Sequence, residues 1–209
     1  MSDSLEQIAS EVTACKNCPL SETRTRAVPG EGPADAEIML IGEGPGFHED
    51  QSGRPFVGAA GNFLVELLGS VGLTRDQVFI CNVVKCRPPG NRDPEPNEIK
   101  ACQDYLDRQI DLINPRLIVT LGRYSMARWF PDARISHVHG KPRQIGERVI
   151  VPMYHPAAAL HQPSLKQEVI DDFKKLPQFL DMARQHSGPA KENNEDDSTP
   201  PQAQQLSLF

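Results

Sequence analysis

The feature that most constrains the fold is an alternation of short apolar runs with longer amphipathic segments. Runs rich in β-branched residues predict four buried strands, at positions 37–41, 78–84, 116–121 and 148–153. Helical patterns lie between and after them, at 62–71, 96–113, 124–130 and 164–184. This alternation predicts an α/β fold with a central four-stranded, mostly parallel sheet flanked by helices.

Composition divides the 209-residue chain into one domain, residues 1–186, and a tail. Residues 187–204 contain no large apolar side chain and are rich in Pro, Asn, Asp and Glu, which predicts a disordered acidic linker. Residues 187–209 carry half of the formal net charge of −6. The charge argues against a general nucleic-acid coat, although the weakly acidic domain can still present a local basic face.

The chain begins with no signal peptide and has no apolar run of membrane-spanning length, so we expect a cytoplasmic monomer with reduced thiols. Cys15 and Cys18 form a Cys-x-x-Cys pair, and Cys86 and Cys102 follow far downstream. Four such thiolates suit either zinc or an iron–sulfur cluster, and their spacing leaves both open. Cys81 lies in a predicted buried strand, and we expect it to bind no metal.

Polar residues follow three of the predicted strands. Glu43 lies in a glycine-rich loop after the first strand, Asn82 near the end of the second, and His155 after the last. Ligands in parallel α/β sheets bind at the carboxyl ends of the strands, so we expect these residues to share one site. Each also has a structural interpretation: an ordinary turn for Glu43, a backbone cap for Asn82 and a structural ring for His155.

The neighbouring loops add an aromatic side chain and positive charge. Phe56, between Pro55 and Gly58, either offers a face to a planar ligand or fills the core. A proline-rich loop follows Asn82 and contains Lys85, Arg87 and Arg92, which have the charge to contact phosphates. The alternative is that this loop is only a solvated connection.

Together these segments resemble the family 4 uracil-DNA glycosylases, the iron–sulfur branch of their superfamily. The resemblance runs from about residue 6 to 180 and rests on Cys15-x-x-Cys18, GEGPGFHEDQSGRPFVGAAG, NVVKCRPPGNRDP with Cys102 after it, and YHP at 154–156. It implies an enzyme that hydrolyses the N-glycosidic bond of uracil in DNA and leaves an abasic site for base excision repair. The four-stranded parallel sheet that it implies agrees with the hydrophobic pattern.

The resemblance also assigns roles to residues around the base, which are Gly42, Glu43, Gly44, Phe56, Asn82 and His155. Phe56 would stack on the extruded uracil, and the Asn82 amide would read the N3–H and O4 edge. Glu43 would lie beside the attacking water, and His155 would stabilise negative charge on O2.

For the cysteines, the resemblance implies a structural [4Fe–4S] cluster bound by Cys15, Cys18, Cys86 and Cys102. Leu160 is the candidate wedge that fills the space vacated in DNA, with a core position as the alternative.

Two positions depart from the pattern of the family, and one feature of a sister group is absent. Gly44 replaces a more common Ala, and Ala157 replaces a common Ser, so the phosphate contact that the Ser would supply is not expected here, while the base pocket is unaffected. No basic insertion follows Lys85, so the covalent trapping of a sister group is not expected.

Two other functions are compatible with these residues. One is a glycosylase with a wider range of deaminated bases, including hypoxanthine and xanthine. The other is a non-enzymatic, metal-stapled DNA-binding module at the replication fork, which gives Glu43, Asn82 and His155 no reason to meet.

The last five residues resemble the bacterial sliding-clamp-binding pentapeptide at every position. The expected partner contacts come from Gln205, Leu206, Leu208 and Phe209. The alternative is that these residues fold back onto the domain. Tethering to the clamp would place a bacterial, nucleoid-associated enzyme at replication forks.

Overall fold

The computed structural model of the protein describes residues 3–186 and centres on one mixed sheet. Its strands are β1 (Ile38–Gly42), β2 (Phe79–Asn82), β3 (Leu117–Leu121), β4 (Arg143–Ile145) and β5 (Arg148–Met153). Their order is β2-β1-β3-β5-β4, and all neighbours are parallel except β4 and β5. The predicted α/β fold with a mostly parallel sheet is therefore confirmed.

The edge strand β4 was not predicted, and the sheet has five strands instead of four. All three residues of β4 are exposed, so the strand lacks the apolar pattern that marks the other four. It forms because a turn at Gly146, whose φ is +62°, returns the chain antiparallel to β5.

Ten α-helices are found in the described chain. In order they are α1 (Leu5–Ala14), α2 (Leu20–Thr23), α3 (Phe47–Ser52), α4 (Ala59–Gly69), α5 (Pro96–Ile113), α6 (Arg123–Ala127), α7 (Ile135–Val138), α8 (Pro156–His161), α9 (Lys166–Lys174) and α10 (Leu176–His186). The prediction for α5 is correct at both ends. The helix predicted over 164–184 is two helices, because Pro177 in the first turn of α10 cannot donate a hydrogen bond to a continuous preceding helix.

Alternating side chains of the strands build a core on each face of the sheet. On one face, Leu40, Val119 and Val151 pack in the core that also contains buried side chains of α4, α9 and α10. On the other, Met39 and Ile118 join buried side chains of α5. Because helices cover both faces of the sheet, a ligand is expected to bind at the carboxyl ends of the strands.

The tail assignments, residues 187–204 as linker and 205–209 as partner peptide, lie outside the described residues. Within the described part of the chain, no helix has the length and apolar character needed to cross a bilayer.

Candidate active site

A cavity of about 390 Å³ lies at the carboxyl ends of the parallel strands. Its lining includes Glu43 after β1, Asn82 at the end of β2 and His155 after β5, together with Phe56 from the loop before α4. The structure thus brings together the four candidate residues that the sequence places far apart. Gly44 also lines the cavity, and Gly42 lies beneath Asn82 and Phe56.

The Asn82 side chain is buried, with 2% of its surface exposed, and its Oδ1 has no hydrogen-bond partner on the described residues. A buried amide oxygen without a partner costs free energy, which a bound ligand would recover by donating to it. Gly42 makes room for this amide: a Cβ there would lie 2.4 Å from Asn82 Oδ1 and 2.8 Å from the Phe56 ring.

The Phe56 backbone is held in the left-handed region, with φ of +51°, which a bulky residue rarely adopts. Two contacts stabilise it. The Arg75 guanidinium donates to the carbonyl oxygens of Pro55 and Phe56, the latter at 2.8 Å, and Gly61 of α4 packs against the Phe56 carbonyl. A side chain at Gly61 would lie 2.0 Å from that oxygen, so only glycine fits.

The Glu49 carboxylate fixes the rest of this loop. Its Oε1 accepts hydrogen bonds from the backbone N–H of Val57 at 2.9 Å and of Gly58 at 3.0 Å, and its Oε2 accepts from Gly46 at 3.1 Å. One side chain therefore ties the glycine-rich loop after β1 to the loop that carries Phe56.

The His155 ring stacks on Phe56, with centroids 5.3 Å apart and planes inclined by 24°. Its Nδ1 accepts a hydrogen bond from the Ala157 backbone N–H at 3.1 Å, which leaves the proton of the neutral ring on Nε2. Burial lowers the pKa of His155 to about 4, against a smaller opposing influence of the Glu49 charge. The ring is thus a neutral donor at physiological pH.

Glu43 is half-buried and carries the most perturbed carboxyl group in the cavity. Burial, together with the nearby Asp93 charge, raises the pKa of Glu43 to about 7, and the Arg123 charge opposes this rise. Asp93 and Arg123 form an ion pair with each other, so their charges largely compensate. A carboxyl group with a pKa near neutrality is suited to exchange a proton with water.

The substitution at Gly44 has a packing reason in this structure. A Cβ there would lie 2.7 Å from Cγ2 of Val84, a stiff β-branched side chain. An alanine would fit only if Val84 moved.

The four cysteines of the predicted metal site lie in one cluster, and Cys81 packs in the separate core beneath α5. Three of their sulfur atoms accept N–H donors: Cys86 from Arg24 at 2.9 Å, Cys102 from the Lys85 backbone at 3.3 Å and Cys15 from the Asn17 backbone at 3.5 Å. Over residues 3–186, no group of three or more His, Cys, Asp or Glu side chains has the arrangement needed to bind one metal ion.

Two positively charged side chains, those of Arg24 and Lys85, lie beside the cysteine cluster. Arg24 donates its remaining hydrogen bonds to the backbone oxygens of Thr13 and Cys15. Lys85 is only 1% exposed and donates to the Gln109 side chain at 2.6 Å. The expectation that Lys85 contacts a phosphate is therefore wrong, because its ammonium is buried. No carboxylate of the described chain forms an ion pair with either cation. A buried ammonium without a negative partner is costly.

Leu160, the candidate wedge, is 45% exposed on α8, next to His161, which lines the cavity. This position is on the surface and not in the core. Its role in DNA stays a prediction.

Sequence reasoning missed Glu49, Arg75 and the Asp93–Arg123 pair. The acidic pair at 49–50 and the Arg at 75 are visible in the sequence, but nothing in their spacing indicates that they hold the Phe56 loop. Asp93 belongs to a quoted motif, although its effect on Glu43 depends on how its loop folds over the site.

Comparison with known proteins agrees with this geometry. The profile of the Uracil DNA glycosylase superfamily matches residues 29–175. The chain is 54% identical over 184 residues to the type-4 uracil-DNA glycosylase of Sulfurisphaera tokodaii, covering 83% of this chain and 84% of that protein. It is 48% identical to the type-4 enzyme of Saccharolobus solfataricus, covering 85% and 87%, and 47% identical to that of Archaeoglobus fulgidus, covering 83% and 92%. The chain therefore belongs to the uracil-DNA glycosylase superfamily and, within it, to the type-4 family.

Proposed function

We propose that this protein is a uracil-DNA glycosylase that hydrolyses the N-glycosidic bond of uracil in DNA and leaves an abasic site for base excision repair. The enzyme is a hydrolase acting on an N-glycosyl bond. The observation that carries the proposal is the buried Asn82 amide, whose oxygen has no partner among residues 3–186 and which lines the same cavity as Phe56 and His155.

An amide at this position selects uracil by hydrogen bonding. Its oxygen accepts from N3–H and its NH2 group donates to O4, whereas cytosine presents an acceptor at N3 and an amino donor at C4. The base reaches the cavity only after extrusion from the helix, where Phe56 supplies an apolar face for stacking.

Cleavage leaves the bonding electron pair of C1′–N1 on the uracil, chiefly at N1 and O2. The His155 Nε2–H, fixed by the Nδ1 hydrogen bond to Ala157, donates to O2 and stabilises this anion. Because the His155 ring is neutral, it does not form an ion pair that would retain the uracil anion after cleavage.

Water supplies the oxygen that bonds to C1′, and its proton must leave. Glu43 in its ionised form orients this water and accepts the proton, and its negative charge stabilises the positive character of the sugar. Ionised Glu43 is therefore the active form.

Base release from a panel of oligonucleotides tests this function. Wild-type protein should release uracil, while Asn82→Ala should release it ~10²-fold more slowly or worse. The exposed Asn62→Ala on α4 is the matched control and should behave as wild type. Equal release of hypoxanthine and xanthine by the wild type would establish the broader substrate range, and no release of any base would leave only a binding module.

We propose further that Cys15, Cys18, Cys86 and Cys102 bind a [4Fe–4S] cluster. The donor set fits, because four thiols cluster and three of their sulfur atoms accept N–H donors. In addition, Arg24 and Lys85 supply positive charge that no carboxylate of the described residues balances. A thiolate-bound cluster is anionic and would balance these cations. When bound, it would tie the amino-terminal segment to the region between Cys86 and Cys102.

Metal content of protein purified without oxygen tests the cofactor. We expect about four irons per chain and a brown colour. Stoichiometric zinc in a colourless preparation would contradict the cluster.

We propose that residues 205–209 recruit the enzyme to the bacterial sliding clamp, and that the protein works in the cytoplasm of a bacterium, at the nucleoid. The support is the sequence match and the three large apolar residues that follow a segment without any. A flexible linker of this length has a mean reach of ~20–25 Å. Its attachment to the clamp would raise the local enzyme concentration on DNA.

Titration of purified clamp with the full chain and with a version lacking residues 205–209 tests the recruitment. The deletion should abolish binding and leave excision on short oligonucleotides unchanged. Equal clamp affinity of the two proteins would refute it.

A further inference from the structure

The rim of the base cavity carries an exposed aromatic side chain that the mechanism above does not use. Phe47 begins α3 directly after Gly46, which lines the cavity, and 52% of its surface is exposed. Among the large hydrophobic side chains exposed on the described residues, it is the one with an aromatic ring. An exposed Phe beside a binding cavity is a candidate contact surface.

Arg87 lies over this ring, with its guanidinium carbon 5.1 Å from the ring centroid. The Arg87 Nε donates to the Asn91 side chain at 2.7 Å, so the group is held in place, and both Asn91 and Pro88 line the cavity. His48 packs on Phe47 in a T-shaped arrangement, with centroids 5.5 Å apart. These contacts orient the ring and leave half of the side chain in solvent.

The terminal nitrogens of Arg87 have no acceptor on the described chain, and no described carboxylate pairs with this residue. Other arginines near the site are paired, Arg92 with Glu98 and Arg123 with Asp93. On a protein with a net charge of −6, an unpaired guanidinium at the cavity rim is an attractive position for a phosphate.

We propose that Phe47 and Arg87 form a nucleotide subsite beside the base pocket, which rests on the proposed glycosylase function. Phe47 stacks on the base of a nucleotide next to the extruded uracil, and Arg87 binds the phosphate that joins the two nucleotides. Every base has an aromatic face, so the subsite contributes affinity without reading sequence. It also fits a strand whose neighbouring base is already unstacked.

Single-turnover kinetics on a single-stranded uracil oligonucleotide test the subsite. Phe47→Ala should raise the enzyme concentration for half-maximal rate about 5- to 100-fold. The maximal rate should stay within about twofold of wild type, because Phe47 lies outside the base pocket. Val65→Ala, which truncates a 46%-exposed hydrophobic residue of α4, should change neither quantity. Phe47→Trp should restore the affinity.

A substrate series identifies the stacked base. We expect that removal of the base from one neighbouring nucleotide weakens wild-type binding and abolishes the difference between wild type and Phe47→Ala. An uncharged methylphosphonate at the adjacent linkage should weaken wild-type binding and abolish the difference in affinity between wild type and Arg87→Gln. The subsite is refuted if Phe47→Ala binds as wild type does. It is also refuted if the Phe47→Ala defect persists in both oligonucleotides, the one that lacks the 5′ neighbouring base and the one that lacks the 3′ neighbouring base. Fluorescence anisotropy on the same oligonucleotides separates the two proposals: if uracil is never released but Phe47→Ala still binds weakly, the subsite stands and the glycosylase function falls.

Discussion

The base pocket and the cysteine cluster adjoin along the chain, since only three residues separate Asn82 from Cys86, yet their polar groups differ. In the pocket, no group of the described chain donates a hydrogen bond to the Asn82 oxygen, and burial disfavours the charge on Glu43. In the cluster, Arg24 makes three hydrogen bonds and holds the amino-terminal segment against Cys86. The difference supports the proposals that the pocket binds a ligand and that the cysteine cluster fixes the strand end carrying the pocket.

The largest expected effect comes from a substitution in the cysteine cluster. If the proposed cluster is bound, Cys86→Ser should lose its iron and colour and lower the melting temperature by more than ~10 °C, because a bound cluster would stabilise only the folded chain. Iron content and thermal denaturation measure this. Cys81→Ser, outside the cluster, should keep its iron; a Cys86→Ser protein that keeps four irons would contradict the ligand set.

On the pocket side, His155→Ala should lower the single-turnover rate of uracil release by ~10²–10³ and leave colour and melting temperature unchanged. The reason is the loss of the Nε2–H donor to the leaving base. His137→Ala, an exposed histidine of α7, is the control. A near wild-type rate for His155→Ala would show that another group stabilises the anion.

A smaller effect concerns pH. Because Glu43 ionises as the pH rises through about 7, the excision rate should rise over the same interval, and Glu43→Gln should abolish this rise. Asp93→Asn removes a negative charge that raises the Glu43 pKa. It also frees Arg123 from its ion pair with Asp93, so that the Arg123 charge lowers the Glu43 pKa further. Its pH–rate curve should shift to lower pH, while that of the exposed Asp132→Asn should not. An unshifted Asp93→Asn curve would exclude Glu43 as the titrating group.

The smallest expected effect is at Lys85, between the two regions. Lys85→Met removes a buried positive charge near the cysteines, so iron loss to a chelator should be severalfold faster. The exposed Lys100→Met should not change it. The metal-free protein should become more stable by the same change, since an unpaired buried charge is costly there. Slower iron loss from Lys85→Met would contradict the countercharge.

The sequence predicts the sheet and the convergence of Glu43, Asn82 and His155, because β-branched runs mark buried strands and parallel strands end at one edge. It does not predict that Arg75 holds the Phe56 loop, a contact across 19 residues that depends on a left-handed Phe56. It also misses β4, which buries nothing. Hydrophobic patterns in a sequence reveal which segments are buried. They do not reveal contacts between loops, because those contacts depend on the path that the folded chain takes.

The most direct test of the pocket compares release of uracil and of N3-methyluracil from otherwise identical DNA by wild type and Asn82→Ala. The wild type should release uracil and reject the methylated base, because methylation removes the N3–H donor and leaves the buried Asn82 oxygen without a hydrogen bond. Asn82→Ala should release uracil ~10²-fold more slowly and lose most of the discrimination. Equal release of both bases by the wild type, or an undiminished rate for Asn82→Ala, would contradict recognition of uracil by this amide.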